Sequence, residues 1–289
     1  MPVSAEILKS VPLFASLNAS QRTQVSAVAD EITVAHGAYL YRYGDSLDHF
    51  HIIRHGTIQV FRATPAGQEV TSDILGIGDC INIDDIVTRR HTHNANARAI
   101  DGARILRLPI ALLRTTHDLM PRILSVLTER LDGRRREAEQ RATLSSAQIV
   151  ACELQQLCAT HQLDPAGFEL PYAKALIASR LHIEPETFSR TLKRLRSYGI
   201  TVHGSQVHFT DLETVDRFAC GHCPVADDCA TRHVFSRHRP GITNGVLTEK
   251  SRLLAVKEAH DGYAPQARGP AAAEPHAGSR PGVPAPADG

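Results

Sequence analysis

No stretch of the 289-residue chain approaches the roughly 20 consecutive apolar residues that a membrane-spanning helix requires. The segment Met1 to Leu17 places Glu6 and Lys9 among short apolar groups and lacks a signal-peptide pattern, so the expected location is the cytoplasm, with no membrane partner. An excess of charge is also missing. Lys+Arg 32 against Asp+Glu 31 is nearly balanced, so global charge does not announce a nucleic-acid binder. There is no nucleophile constellation and no glycine-rich phosphate loop, and the chain is not expected to be an enzyme.

What charge there is falls unevenly. Between Leu170 and Gly204 stand Lys174, Arg180, Arg190, Lys193, Arg194 and Arg196 against only Glu184 and Glu186, which suits a phosphate-facing surface as well as a solvated helix face. The six cysteines are also uneven. Cys220, Cys223 and Cys229 follow a C-x2-C-x5-C spacing. Thiolates so spaced can converge on one iron–sulfur cluster or one zinc ion, because each short loop brings its ends within bonding reach of a single centre. In a reducing compartment clustered cysteines serve as ligands or redox centres more readily than as structural disulfides.

Short β-branched runs alternate with glycine turns from about Ile32 to Leu108. Ile52-Ile53 ends at Gly56, Thr57 to Phe61 ends before Pro65-Ala66-Gly67, Val70 to Leu75 ends at Gly76, and Arg104 to Leu108 closes the series. This pattern predicts a small antiparallel sandwich or jelly roll. The period then becomes helical, with Ile123, Leu124, Leu127 and Leu131 as one apolar stripe on a long helix, a candidate homodimer seam or an internal packing face. Ser145 to Leu157, with Ser145 or Ser146 as cap, Lys174 to Leu181 and Glu184 to Tyr198 read as helices. A hairpin of Ile200-Thr201-Val202 against Val207-His208-Phe209, turning at Gly204 and Ser205, completes a winged helix-turn-helix. The expected class is α+β. The expected organisation is a barrel over residues 1–115, a dimerisation helix over 116–143, a winged helix-turn-helix over 144–212 and a cysteine-rich segment over 213–238. An Ala/Pro/Gly-rich tail over 239–289 is too poor in aromatics to order itself.

This order of elements resembles the CRP/FNR family of bacterial transcription regulators over about Leu8 to Phe209. Val11-Pro12-Leu13-Phe14 resembles the family's entry into the barrel, Gly78-Asp79 its turn before the sensor helix, and Met120-Pro121 the opening of the long helix in the FNR branch. Glu186-Thr187-Phe188-Ser189-Arg190 resembles that branch's recognition pattern E-x-x-S-R. The resemblance implies a cyclic-nucleotide-binding-like barrel and a homodimer on palindromic promoter DNA, working with RNA polymerase. It also implies a TTGAT half-site and an FNR-type [4Fe–4S] cluster. Departures matter too. Ile83 stands where cyclic-AMP-binding members carry Glu, and His93 where they carry Arg, so cyclic AMP is not expected as ligand. FNR-type members place three cysteines near the N-terminus and a fourth in the barrel; here the motif follows the wing, and the barrel position is Leu106.

The fourth ligand stays open among Cys158, Cys152, Cys80, His222, His233 or a carboxylate, and a zinc set of Cys220, Cys223, Cys229 and His233 is a second reading of the same motif. Glu186, Ser189 and Arg190 share one helix face at i, i+3 and i+4. Arg can donate two bonds to guanine and Glu can accept from cytosine, with Thr187 beside them and Lys193 and Arg194 continuing toward the backbone. A distant alternative is a cupin-like metal oxygenase. Gly44, His49-Phe50-His51 and His91-Thr92-His93 resemble its iron-holding histidines, although its glutamate is missing at Ile52-Ile53-Arg54-His55.

Overall fold

Two four-stranded sheets face each other in the N-terminal half. The computed structural model describes residues 3–9, 11–116, 118–229 and 231–232, all within one unit. The tail over 239–289 and His233 lie outside the described residues. Helices α1 (Ala5–Lys9) and α2 (Ala19–Val28) flank a single 3-10 turn, Pro12–Phe14. The strands are β1 (Asp30–Val34), β2 (Tyr39–Tyr41), β3 (His49–His55), β4 (Ile58–Ala63), β5 (Glu69–Leu75) and β6 (Cys80–Ile81). Helix α3 (Ile83–Val87), β7 (Asn96–Ala99), β8 (Ala103–Pro109) and α4 (Ala111–Thr115) follow. One sheet runs β1-β8-β3-β6 and the other β2-β7-β4-β5, with antiparallel pairing.

The two-residue period of a strand explains why this half has two apolar layers. On β3, Ile53 faces the other sheet, where it meets Ile58 and Ala97, with Ile105 beside it on β8 of its own sheet. Its neighbours Phe50 and Ile52 face outward, yet they are buried under α1, the Pro12–Phe14 turn and the start of the long helix. Strand β8 repeats the scheme, with Ile105 inside and Leu106 and Leu108 outside. Strands covered on both faces show continuous apolar runs, which is why Ile52-Ile53 and Ile105-Leu106 were visible in the sequence. The turn after β3 requires glycine. Gly56 has φ +82°, and a Cβ there would stand 2.5 Å from the carbonyl oxygen of Gly102.

Helix α5 (Leu119–Thr143) leaves the barrel as 25 residues without a break. Here the expected apolar stripe is corrected. Ile123 is 1% exposed and packs with Leu119 into its own barrel, with Val126 and Leu127 half-buried beside it. Leu124 and Leu131 are exposed, and so is Met120. A helix has 3.6 residues per turn, so Ile123 turns toward the barrel, Met120, Leu124 and Leu131 lie on the exposed side, and Leu127 stands between them; Met120, Leu124, Leu127 and Leu131 have the four, three and four spacing of a heptad repeat. The sequence stripe had merged two faces of one helix.

The C-terminal half contains α6 (Ser146–Thr160), β9 (Phe168–Glu169), α7 (Lys174–Leu181), α8 (Pro185–Arg194), β10 (Ile200–His203), β11 (Gln206–Phe209) and α9 (Leu212–Cys220). Ser145, not Ser146, is the α6 cap, in a reciprocal capping box with Gln148. The wing has a third strand that was not foreseen, because β9 is only two residues long and pairs with β11. Phe168, Phe188, Leu195, Ile200, Val207 and Val215 are buried together as the core of this half. Helix α7 also docks on the barrel. Ser179 donates to the Glu69 carbonyl (3.1 Å) and accepts from the Thr71 backbone N–H (3.1 Å). Arg134 on α5 pairs with Asp73 of β5, and Arg180 on α7 pairs with Glu137 of α5.

Candidate cysteine centre and nucleic-acid interface

The reading helix is set by a three-residue turn. Helix α7 ends at His182 in the left-handed region (φ 56°), Ile183 returns its N–H to Ala178, and Pro185 opens α8 where a missing N–H costs nothing. Phe188, Thr191 and Leu192 are buried and anchor α8 to the core. Glu186, Thr187, Ser189, Arg190, Lys193 and Arg194 are all exposed. The helix thus presents every one of the six expected polar residues outward, while its apolar residues hold it in place.

The cysteines lie behind this unit. Asp211 caps α9, accepting from the Glu213 and Thr214 N–H groups, and the helix runs directly into Cys220. Gly221 follows where a Cβ would meet the Arg217 carbonyl oxygen at 2.4 Å. Three successive backbone turns then fold the loop, from Cys223 N–H to Cys220, Ala226 N–H to Cys223, and Cys229 N–H to Ala226. Cys220 is buried, and Cys223 and Cys229 are half-buried. Burial and the charge of Asp216 push the Cys220 thiol up to about 12, with Cys229 and Cys223 adding to the effect.

The other cysteines separate cleanly. Cys152, in the second turn of α6, is buried, and its thiol is pushed up by burial and by Cys220, Cys229 and Cys223. Gln140 of α5 directs one amide nitrogen toward both Cys223 Sγ (3.5 Å) and Cys152 Sγ (4.0 Å). Cys158 turns elsewhere and donates to the Leu163 carbonyl (3.3 Å), while Cys80 is in the barrel on β6 and His222 is exposed. Among the described residues no three cysteine, histidine or carboxylate donors already stand in single-ion geometry. Helix α9 and the role of Gln140 were not foreseen. The α9 signal was present, as Asp211 before Leu212 and Val215, but nothing local marks a glutamine whose partner is 83 positions away.

The barrel positions are equally definite. Ile83 and His93 are each 3% exposed. His93 stacks on Tyr41 with ring centroids 3.5 Å apart, and burial pushes it down to about 4, so it carries no charge for a phosphate at neutral pH. Leu106 is fully buried in the layer between barrel and helices. The four histidines of the cupin reading do not converge. His91 is exposed, His49 is half-buried, and the His51 and His93 rings are 6.2 Å apart with Tyr41 against both.

These histidines carry a pH prediction. Burial lowers His51 to about 3 and His93 to about 4, so the unfolded chain takes up these protons near pH 6.5 and the fold does not. Their contribution is complete above about pH 6.5 and is lost as pH falls toward about 4. Asp85, raised by burial, works in the opposite sense where it gains its own proton. The melting temperature of metal-free protein should fall between pH 7.5 and pH 5, and His93→Gln should flatten that slope. A wild-type midpoint constant across the window would show that these rings are not held neutral.

Comparison with known proteins agrees with this architecture. The family model of the cyclic nucleotide-binding domain matches residues 31–117, and that of the Crp-like helix-turn-helix domain matches 150–218. The chain belongs to the CRP/FNR family. The anaerobic regulatory protein of Haemophilus influenzae is 26% identical over 182 residues, covering 60% of this chain and 70% of its own. The transcriptional activator protein anr of Pseudomonas aeruginosa is 24% identical over 183 residues, covering 61% and 74%. FixK2 of Bradyrhizobium japonicum superimposes with a TM-score of 0.57 at 15% identity, over 66% of this chain and 97% of that one, a likeness of fold alone. This CRP/FNR member is therefore a DNA-binding transcription regulator of the FNR-like branch. No helix among its described residues is long and apolar enough to cross a membrane.

Proposed function

We propose that this regulator acts as a cytoplasmic homodimer on palindromic promoter DNA, with RNA polymerase as its working partner. In this reading it senses oxygen or redox state through an iron–sulfur cluster, of the [4Fe–4S] type, on Cys220, Cys223 and Cys229. The observation that carries the sensing reading is the loop after α9, folded by three successive backbone turns and carrying three cysteines of C-x2-C-x5-C spacing directly after the winged domain. The donor set fits such a group, since thiolates are the ligands iron–sulfur clusters take. When bound, the cluster would supply a centre that oxygen or electron loss can alter. The chain's own residues do the rest. The loop fixes the sulfurs, Gln140 joins the loop to α5, and α8 presents its polar face to DNA. The barrel is read as a scaffold that does not take cyclic AMP, because buried Ile83 and uncharged His93 leave a phosphate without its partner at those positions.

Protein purified without oxygen should be brown, should contain iron and acid-labile sulfide, and should bleach in air. Cys223→Ser should remove most of that iron and sulfide. Stoichiometric zinc and no iron in oxygen-free protein would replace the cluster with a structural zinc site and leave the effector unassigned.

A further inference from the structure

The fourth ligand of this centre can be chosen from the geometry. Resting on the cluster reading above, we propose that Cys152 of α6 completes the cysteine set with Cys220, Cys223 and Cys229, and that Gln140 and Gln156 are positioning residues for its sulfur.

Three observations carry the choice. First, the other cysteines outside the loop are placed elsewhere, since Cys158 donates to the Leu163 carbonyl (3.3 Å) and Cys80 lies on β6 of the barrel, opposite Ile52 of β3. Second, one amide nitrogen of Gln140 reaches both Cys223 Sγ (3.5 Å) and Cys152 Sγ (4.0 Å), so a loop cysteine and a helix cysteine share a donor across the same gap. Third, Gln156, one helical turn beyond Cys152, aims a second amide nitrogen at the same sulfur (3.4 Å). A neutral thiol sulfur is a weak acceptor, while a metal-bound thiolate carries charge that N–H donors stabilise. Two amide donors converging on one buried cysteine sulfur suit a ligand.

The placement also supplies a route for the signal. Cys152 is in the second turn of α6, and Gln140 is in the last turn of α5, where its carbonyl accepts the Leu144 N–H that ends the helix. A centre held by Cys152 therefore fastens the C-terminal loop to the junction between the long helix and the reading domain. An attachment point behind the wing thus reaches α5 without any cysteine in the barrel.

The test compares Cys152→Ser, Cys158→Ser and Gln140→Leu with wild type, each loaded with ferrous iron and sulfide under anaerobic conditions. Iron, sulfide, visible absorbance and midpoint potential are the readouts. Cys152→Ser should lose most of its iron and sulfide, and Cys158→Ser should match wild type. Gln140→Leu should keep wild-type iron but show a lower midpoint potential, because an N–H bond to a ligand sulfur favours the more negative reduced state. Wild-type iron content and spectrum in Cys152→Ser would overturn the assignment. If Cys152→Ser does not fold by circular dichroism, Gln156→Leu, whose amide reaches Cys152 Sγ, is loaded in its place, and a midpoint potential unchanged from wild type overturns the placement. Wild type without iron and sulfide would refute the cluster reading itself, a different result from a loaded wild type with a loaded Cys152→Ser.

Discussion

Arg190→Ala should weaken binding to a matched palindrome by roughly 1–3 kcal/mol per half-site and relax the preference at one G·C pair. Two half-sites in a symmetric dimer double the loss to roughly 2–6 kcal/mol, from tens-fold to about ten-thousand-fold in affinity. Arg190 is exposed on α8, one helical turn from Glu186, and the buried residues Phe188, Thr191 and Leu192 fix that face outward. The guanidinium can donate to guanine O6 and N7, and Glu186 can accept from the N4 amine of the paired cytosine. In a TTGAT half-site the single G·C pair is the place for both. Lys193→Ala provides the contrast. Its ammonium is a point charge further along the helix, so its removal should weaken all sequences alike and flatten the salt dependence by about one phosphate contact per half-site. Titrating both variants on matched and G·C-substituted sites separates the two modes. An equal loss for every base with Arg190→Ala would move Arg190 to the phosphate backbone.

Residues whose role is decided by near neighbours in sequence were the legible ones. The strands with continuous apolar runs, β3 and β8, were visible because both of their faces are covered. The six outward residues of α8 were visible because helical periodicity places them opposite Phe188 and Leu192. β2, β6 and β7 have no run of their own in the sequence pattern; β7 is Asn-Ala-Arg-Ala, four residues with only small side chains turned inward. β9 is too short to show a period and exists only because β11 offers it an edge. The motif Cys220, Cys223, Cys229 is local and was legible. The choice of Cys152 among the open candidates for a fourth ligand was not, since α6 and the loop after α9 meet only when the winged domain closes around Phe188 and Val215. The long helix shows a subtler failure. Ile123 and Leu124 are adjacent and equally apolar, and only the barrel decides that one faces inward and the other outward.

That division of the helix makes the dimer testable without harming the monomer. Leu127→Asp would be ambiguous, because Leu127 is half-buried against its own barrel and a charge there would disturb the fold of a single chain. Leu124 is 50% exposed and Leu131 is 69% exposed, so an aspartate at either position costs a lone chain little. In a dimer related by a two-fold axis each substitution appears twice at the seam, opposite its own copy or close to it. Burying such an unpaired charge costs several kcal/mol, about 3–5 kcal/mol where it is fully enclosed. Leu124→Asp with Leu131→Asp should therefore give folded monomers by light scattering, with a melting curve close to that of the undimerised wild-type chain. Affinity for the palindrome should fall steeply, since each half-site must then be bound by a separate chain and the gain from joining the two is lost. Ile123→Ala should behave oppositely, lowering the stability of each chain by about 2–5 kcal/mol through a cavity in the barrel layer while leaving the exposed row intact. A doubly charged variant that stays dimeric would place the subunit contact on a different face of α5.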